Sequence, residues 1–156
     1  MDKLKFQPGT DNAKLQVLAE RIGDLLKVYG MSLPAGHACP GAKICKTKAD
    51  RVTGKITDGQ FQKYRCFAAS DEAKSPQARR ARWHNMDLLT PLDEAGMTEL
   101  ILVSLPKDLG VCRIHVSGDF FNEKYFRAWC NVARLHPDKL FYAYTQSLRY
   151  WVDNAG

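Results

Sequence analysis

Three cysteines in a polar part of the chain are the residues best suited to hold a metal centre. Cys39, Cys45 and Cys66 have five and then twenty residues between them, and the first two lie in the segment HACPGAKIC. Thiolate sulfurs are soft donors that suit zinc or iron–sulfur clusters, and the small residues between them let the backbone wrap a compact centre. This spacing matches neither a zinc ribbon nor a ferredoxin, so it indicates a metal site without fixing the metal.

Two metal centres are compatible with this ligand set. Zinc needs a fourth ligand, which His37 supplies in the first alternative. In the second, the three cysteines hold a [4Fe–4S] cluster with one open iron. Ordinary free thiols are a third alternative, and this is the interpretation that we prefer for Cys112 and Cys130, which lie among apolar residues.

A predicted strand, VCRIHVSGDFF, carries a second group of polar residues. Strict alternation places Arg113, His115 and Ser117 on one side of it. We expect this side to line a cavity, with Arg113 and His115 contacting a substrate. The alternatives are a sheet that is open on that side and a His115 that is satisfied within the core.

The carboxyl ends of three predicted strands carry polar or cysteine-containing segments. The strand that ends at Leu33 leads into the cysteines, the next ends at Ser117–Asp119, and the last at Thr145. Ligands collect at the carboxyl ends of parallel strands, so we expect one common rim, with Thr145 as a further substrate contact. Asp119 offers acceptors to a ligand, or else helps to cap the helix that Asn122 starts.

The elements that position these residues alternate between helix and strand. Residues 11–27 have leucine or isoleucine every three or four positions, which predicts an amphipathic helix, and a strand follows it. Beyond Pro91 the patterns predict helix, strand, helix and strand. This order implies crossover connections and a parallel sheet, hence one α/β domain over residues 1–156.

The periodicity fades between Pro34 and Arg82, which predicts a long cysteine-containing loop after the first strand. Within it, Arg51–Thr53 and Gln60–Phe67 are predicted to pair as a small hairpin. The segment QARRARWHN is expected to be a solvated surface that spreads its arginines over more than one helix face.

The composition places limits on partners and compartment. The chain is 45% hydrophobic and 26% charged, with a net charge of +6, which is typical of a globular domain. The basic charge permits nucleic acid or a small anion as a partner. We find no apolar stretch of membrane-spanning length and no signal-peptide core, so we expect a cytoplasmic protein without membrane contact.

Five segments together resemble the bacteriophage family gene product eighty-eight: SLPAGHACPGAKIC, RCFAASDEA, RWHNMDLL, RIHVSGDFF and FYAYTQSLRYW. The resemblance extends from about residue 30 to the end of the chain. It implies a phage-encoded protein of the host cytoplasm, with a small molecule or a host or phage macromolecule as its partner.

At a greater distance the layout is similar to that of radical SAM enzymes. That resemblance implies a [4Fe–4S] cluster on Cys39, Cys45 and Cys66, with S-adenosylmethionine on the open iron. It also assigns cofactor contacts to these residues: Tyr64, Phe67, Ser117, Gly118 and Asp119. Two departures are the long interval before Cys66 and an aspartate where such enzymes have glutamate. Because a full (βα)₈ barrel takes about 250 residues, the fold expected here is a parallel-sheet partial (βα) barrel.

Two classes of function follow from these observations. The first is a phage-encoded iron–sulfur-binding protein that is similar to radical SAM enzymes and whose substrate the sequence does not identify. The alternative is a non-catalytic zinc-stabilised module that uses His37 and binds nucleic acid or a host protein. Whether the protein is an enzyme stays open, as does whether the chain is truncated at its C-terminal end, where LRYWVDNAG follows a predicted strand.

Overall fold

The computed structural model describes residues 1–155, without the side chain of Gln62, as a mixed α/β fold. The strands are β1 (Phe6–Pro8), β2 (Lys27–Met31), β3 (Lys48–Ala49), β4 (Ile56–Thr57), β5 (Leu109–Ile114) and β6 (Leu140–Tyr142). The helices are α1 (Gln16–Ile22), α2 (Phe67–Lys74), α3 (Pro76–Leu89), α4 (Glu94–Ser104), α5 (Glu123–Leu135) and α6 (Leu148–Asn154). Gly156, the last residue of the expected domain, lies outside the described residues.

A four-stranded sheet of order β1-β2-β5-β6 organises the chain. β2, β5 and β6 are parallel, with Val28 opposite Val111 and Val111 opposite Leu140. The predicted fold class is thereby confirmed in its coarse form, as a mixed α/β fold with a mostly parallel sheet. β1 adds an antiparallel edge strand, with Phe6 opposite Met31, which the sequence did not indicate because three residues are too few to show a periodic pattern.

Apolar side chains cover both faces of the sheet. On one face, Cys112 and Ile114 of β5 pack with the residues that α4 and α5 bury, including Ile101 and Trp129. On the other, Val111 packs against Val28 and against the α1 side, as part of a smaller cluster with Leu15, Ala19 and Val116. Burial on both faces is what a parallel strand requires. Cys112 is buried and Cys130 packs against the main cluster, as their apolar context predicts.

Two helices occupy the second half of the segment that we expected to be a loop. α2 and α3 begin at Phe67 and Pro76, and Ser75 caps α3 by accepting a hydrogen bond from the Ala78 amide at 3.2 Å. The prediction of a loop up to Arg82 is wrong here because the helices bury mainly alanine and polar side chains. A search for large apolar residues at helical spacing therefore finds no signal.

The small hairpin exists in a different register. Its strands are β3 and β4, and the predicted strand Arg51–Thr53 is the turn between them. The Asp50 carboxylate accepts hydrogen bonds from the amides of Val52 and Thr53 at 2.9 and 2.7 Å, which fixes that turn. The segment predicted as the second strand instead contains a 3₁₀ turn, Gln62–Tyr64, and the first residue of α2.

Both ends of the chain also depart from the patterns. α1 covers Gln16–Ile22 only, preceded by a 3₁₀ turn at Gly9–Asp11, and is shorter than the predicted helix over residues 11–27. The segment after β6 forms α6. None of the helices over residues 1–155 has both the length and the apolar character that crossing a membrane requires.

Candidate functional site

The fold brings together the three thiols that were predicted as metal ligands. Cys39 and Cys45 lie in the loop of residues 34–47, called the cysteine loop below, and Cys66 immediately precedes α2. The Cys66 amide donates to Thr47 Oγ1 at 3.1 Å, which ties α2 to the end of that loop. Cys45 interacts with the Cys66 thiol, and both are close enough to Cys39 to influence its pKa. All five cysteines are free thiols.

The surroundings of Cys39 and Cys45 disfavour the charged thiolate and raise the pKa of both side chains. Burial, with smaller contributions from the neighbouring Asp119, Cys66 and Cys45, raises the pKa of Cys39 to about 12. Burial, followed by the Cys66 thiol, also raises the pKa of Cys45. Cys39 and Cys45 are therefore neutral thiols at physiological pH. A bound cationic centre would stabilise the thiolate forms that this setting disfavours.

The arrangement does not suit a single metal ion. Over residues 1–155, no three His, Cys, Asp or Glu side chains are grouped so that they could hold one ion. His37, the fourth ligand in the zinc alternative, has its Nε2 at 3.1 Å from the Ala49 carbonyl oxygen and its ring against Trp83, with centroids 4.8 Å apart. One ring nitrogen is thus already engaged with the backbone of β3.

Tight turns and close backbone contacts hold the cysteine loop. The amide of Cys39 donates to the Gly36 carbonyl at 3.3 Å, and Gly36 adopts a φ of 74°, which glycine permits without strain. Gly41 lies directly against the last strand end, where a Cβ would be 2.6 Å from the Gln146 carbonyl oxygen. The backbone of the loop therefore touches the segment that follows β6.

The three strand ends meet at one rim, as predicted. Asp119 Oδ1 accepts from Thr145 Oγ1 at 2.6 Å, and Oδ2 accepts from the Gln146 amide at 2.8 Å. Ser117 Oγ donates to the Leu33 carbonyl at 3.0 Å. Asp119 is buried and links β5 to β6. It does not cap α5, because Asn122 accepts the hydrogen bond from the Tyr125 amide at 2.8 Å.

A buried carboxylate that the sequence did not indicate supports this rim from below. Glu72, on α2, is 0% exposed; its Oε1 accepts from the Ala35 amide at 2.7 Å and from Arg82 at 2.9 Å. Ser117 Oγ lies 3.4 Å from the same oxygen. Glu72 thus connects the cysteine loop, α3 and the end of β5. Nothing in the alternation of RCFAASDEA marks it as buried.

The expectation that the arginines of QARRARWHN form a solvated surface is wrong for two of the three. Arg79 donates to the carbonyls of Arg51, Glu72 and Val52 at 3.1, 2.6 and 3.2 Å. Arg82 donates to the Ala68 carbonyl and to the carboxylates of Asp71 and Glu72. Arg80 alone is exposed. Arg79 and Arg82 both lie on the buried side of α3, which the spacing of the arginines in the sequence did not indicate.

The residues that we expected on one polar face of β5 lie in different surroundings in the structure. His115 lies in the apolar core, with Nε2 2.9 Å from the Tyr125 hydroxyl and its ring against Phe120. Burial lowers its pKa to about 3, so the imidazole is neutral. Arg113 lies over the Tyr144 ring, 5.1 Å from its centroid. The prediction that Arg113 and His115 line one cavity is wrong. β5 ends at Ile114, so the alternation of side chains along the strand does not extend to His115.

The two aromatic residues expected beside a cofactor lie on the surface. Phe67 is 75% exposed at the start of α2, and Tyr64 is exposed and packs edge-on against Phe61. Gly118, at the rim, has a φ of 81° and comes so close to Leu33 that a Cβ would be 2.8 Å from its side chain. Its role in the structure is close packing between the ends of β2 and β5.

Comparison with known proteins identifies a family and a bacteriophage relative. The family model for gene product 88 matches residues 3–156. The Gene 88 protein of Mycobacterium phage L5 is 31% identical over 90 residues, which is 52% of this chain and 38% of that protein. The chain thus matches well under half of the relative's length. No solved structure is significantly similar to the chain.

Proposed function

The chain belongs to the gene product 88 family, a bacteriophage protein family, and from that premise we propose that it binds an iron–sulfur cluster through Cys39, Cys45 and Cys66. The observation that carries this proposal is the convergence of three thiols from two separate segments beside the rim of the sheet. Thiolates are the ligands that iron–sulfur clusters use, and three of them leave one iron open.

The donor set favours a cluster over the zinc alternative. A tetrahedral zinc ion needs four ligands at about 2.0–2.3 Å from one atom, whereas a cluster spreads its cysteines over several iron atoms. Over the described residues no such single-ion group is present, and the His37 Nε2 is engaged with Ala49. A zinc-stabilised module that docks nucleic acid or a host protein therefore has less support.

S-adenosylmethionine fits the rim less well, and the proposal stops at the cluster. Asp119 already accepts three hydrogen bonds, from the Phe120 amide, Thr145 and the Gln146 amide. The Ser117 hydroxyl donates to Leu33. The segment that would face the methionine amino group is thus engaged within the fold.

Helical crossovers between the parallel strands β2, β5 and β6 support the finer proposal of a partial (βα) barrel.

The direct test is anaerobic reconstitution of the protein with iron and sulfide. We expect the broad visible absorbance of an iron–sulfur cluster and about four irons per chain. Cys39→Ala should remove most of the iron. Cys130→Ala, which changes a partly buried cysteine on α5, is the matched control and should keep it.

Two outcomes would overturn the proposal. The first is wild-type protein that stays colourless and free of iron while its circular dichroism spectrum shows a folded chain. The second is equal iron content in Cys39→Ala and Cys130→Ala. Binding of one zinc per chain that is lost in His37→Ala would instead establish the zinc alternative.

A further inference from the structure

A cleft on the α1 side of the sheet has a volume of about 910 Å³. Its floor includes Gly30, Ser32 and Val116, which lie at or just beyond the carboxyl ends of β2 and β5. Its walls come from the β1 region, the residues before α1, and one side of α2 and α3. The other clefts measure about 400, 350 and 280 Å³. Both the position and the size are typical of a small-molecule site in an α/β protein.

One ammonium group in this cleft has only a weak hydrogen-bond partner among the described residues. Within that part of the chain, Lys14 Nζ donates one hydrogen bond, to the Val116 carbonyl at a long 3.4 Å. Its pKa is lowered by partial loss of hydration and by the charge of Arg113. Among the nearby acidic groups, Asp71 is already bound to Arg82 at 2.6 Å. The Lys14 side of the cleft therefore offers a hydrogen-bond donor and a positive charge to an anion.

An aromatic surface lies beside this charge. The Phe67 ring lines the cleft, is 75% exposed, and has Lys14 Nζ 5.7 Å from its centroid. An exposed phenylalanine is a platform on which a planar ring can stack. The facing side of α3 contributes a small residue and an amide, Ala81 and Gln77. These leave room for a flat group and offer it polar contacts.

We propose that this cleft binds a small aromatic anion of the size of a nucleoside monophosphate. The ring stacks on Phe67, and the phosphate accepts hydrogen bonds from Lys14. Over the described residues no cysteine lines the cleft, although Cys66 directly precedes Phe67 and is close enough to influence the pKa of Lys14.

Titration calorimetry with AMP, adenosine and inorganic phosphate tests the site. We expect AMP to bind at least about tenfold more tightly than adenosine or phosphate alone. Lys14→Gln should weaken AMP about tenfold and leave adenosine unchanged, because it removes only the charged contact. Phe67→Ala should weaken both ligands about tenfold, because it removes the stacking surface. Both side chains are exposed, so the fold should survive, and circular dichroism checks this.

The matched controls lie outside the cleft. Lys55→Gln removes an exposed lysine near the hairpin and Phe61→Ala an exposed phenylalanine, and neither should change AMP affinity. The proposal is overturned if AMP gives no binding heat, if AMP and adenosine bind equally, or if folded Lys14→Gln binds AMP as the wild type does.

Discussion

Residues 33–91 and residues 92–142 differ in the chemistry of the side chains that they bury. The second region closes around apolar side chains such as Met97, Ile101 and Val132. The first closes around Glu72, Arg79, Arg82 and Asn85, all of them buried and polar. Apolar packing is non-directional, whereas each of these polar groups requires a partner at a defined position.

The difference indicates which region depends on hydrogen bonds between groups at defined positions. Arg79 and Glu72 hold individual backbone atoms of the hairpin and the cysteine loop, at Arg51, Val52 and Ala35. Hydrogen bonds to such atoms fix the path of a chain that has few large side chains of its own. The polar region therefore positions the thiols, while the apolar region supplies general stability.

Among the proposed substitutions, Glu72→Ala is expected to have the largest effect, and it tests whether the polar region depends on its buried hydrogen bonds. We expect a loss of about 3–5 kcal/mol in the free energy of unfolding, because Arg82 and the Ala35 amide lose a buried partner. Urea denaturation measures it. Glu72→Gln keeps an acceptor for the amide and should lose less.

The control for this variant is Glu99→Ala on the exposed side of α4, which should stay within about 0.5 kcal/mol of the wild type. A loss of less than about 1 kcal/mol for Glu72→Ala would mean that the buried network does not hold the polar region.

A second test uses the pH dependence that the buried thiol gives to the metal-free protein. The folded-state pKa of Cys39 is raised from 9.0 to about 12, so the folded chain keeps a proton that the unfolded chain releases. Stability from this group is therefore complete below the ordinary thiol pKa and falls as the pH rises above it. The slope is at most about 1.4 kcal/mol per pH unit.

This slope is measured as the difference between the wild type and Cys39→Ala. Denaturation at neutral pH and at about pH 10 should show a wild type that loses more stability than the variant. Cys112 and Tyr125, whose pKa values are also raised by burial, are present in both proteins and cancel. Parallel pH curves would show that the Cys39 thiol is not buried as described.

The smallest expected effect lies in the apolar region and sharpens the contrast. Ile101→Val removes one methylene group from a fully buried side chain and should cost about 1 kcal/mol in urea denaturation. Val103→Ala, on the exposed side of the same helix, is its control and should cost less. A loss for Ile101→Val as large as that for Glu72→Ala would remove the distinction between the two regions.

The same contrast explains what could be predicted from the sequence. The apolar patterns of α4, β5 and α5 were sufficient to place these elements, and Asn122 to mark the start of α5. The common rim followed from the parallel sheet. The helices α2 and α3 could not be recognised, because their buried side chains are small or charged and acquire partners only in the folded chain.

The candidate site shows a similar division. The residue type and loop context of Cys39, Cys45 and Cys66 suggested that they belong together, and the fold brings them close. Glu72 gave no local signal, since its partners Ala35 and Arg82 are distant in the sequence or on another helix. His115 was misassigned because the alternation rule holds only while the strand continues.

The contact of Gly41 with the peptide between Gln146 and Ser147 has a mechanical consequence. No side chain cushions that junction, since even a methyl group would overlap the Gln146 carbonyl. Any larger residue at position 41 would therefore have to push the cysteine loop away from the peptide that precedes α6.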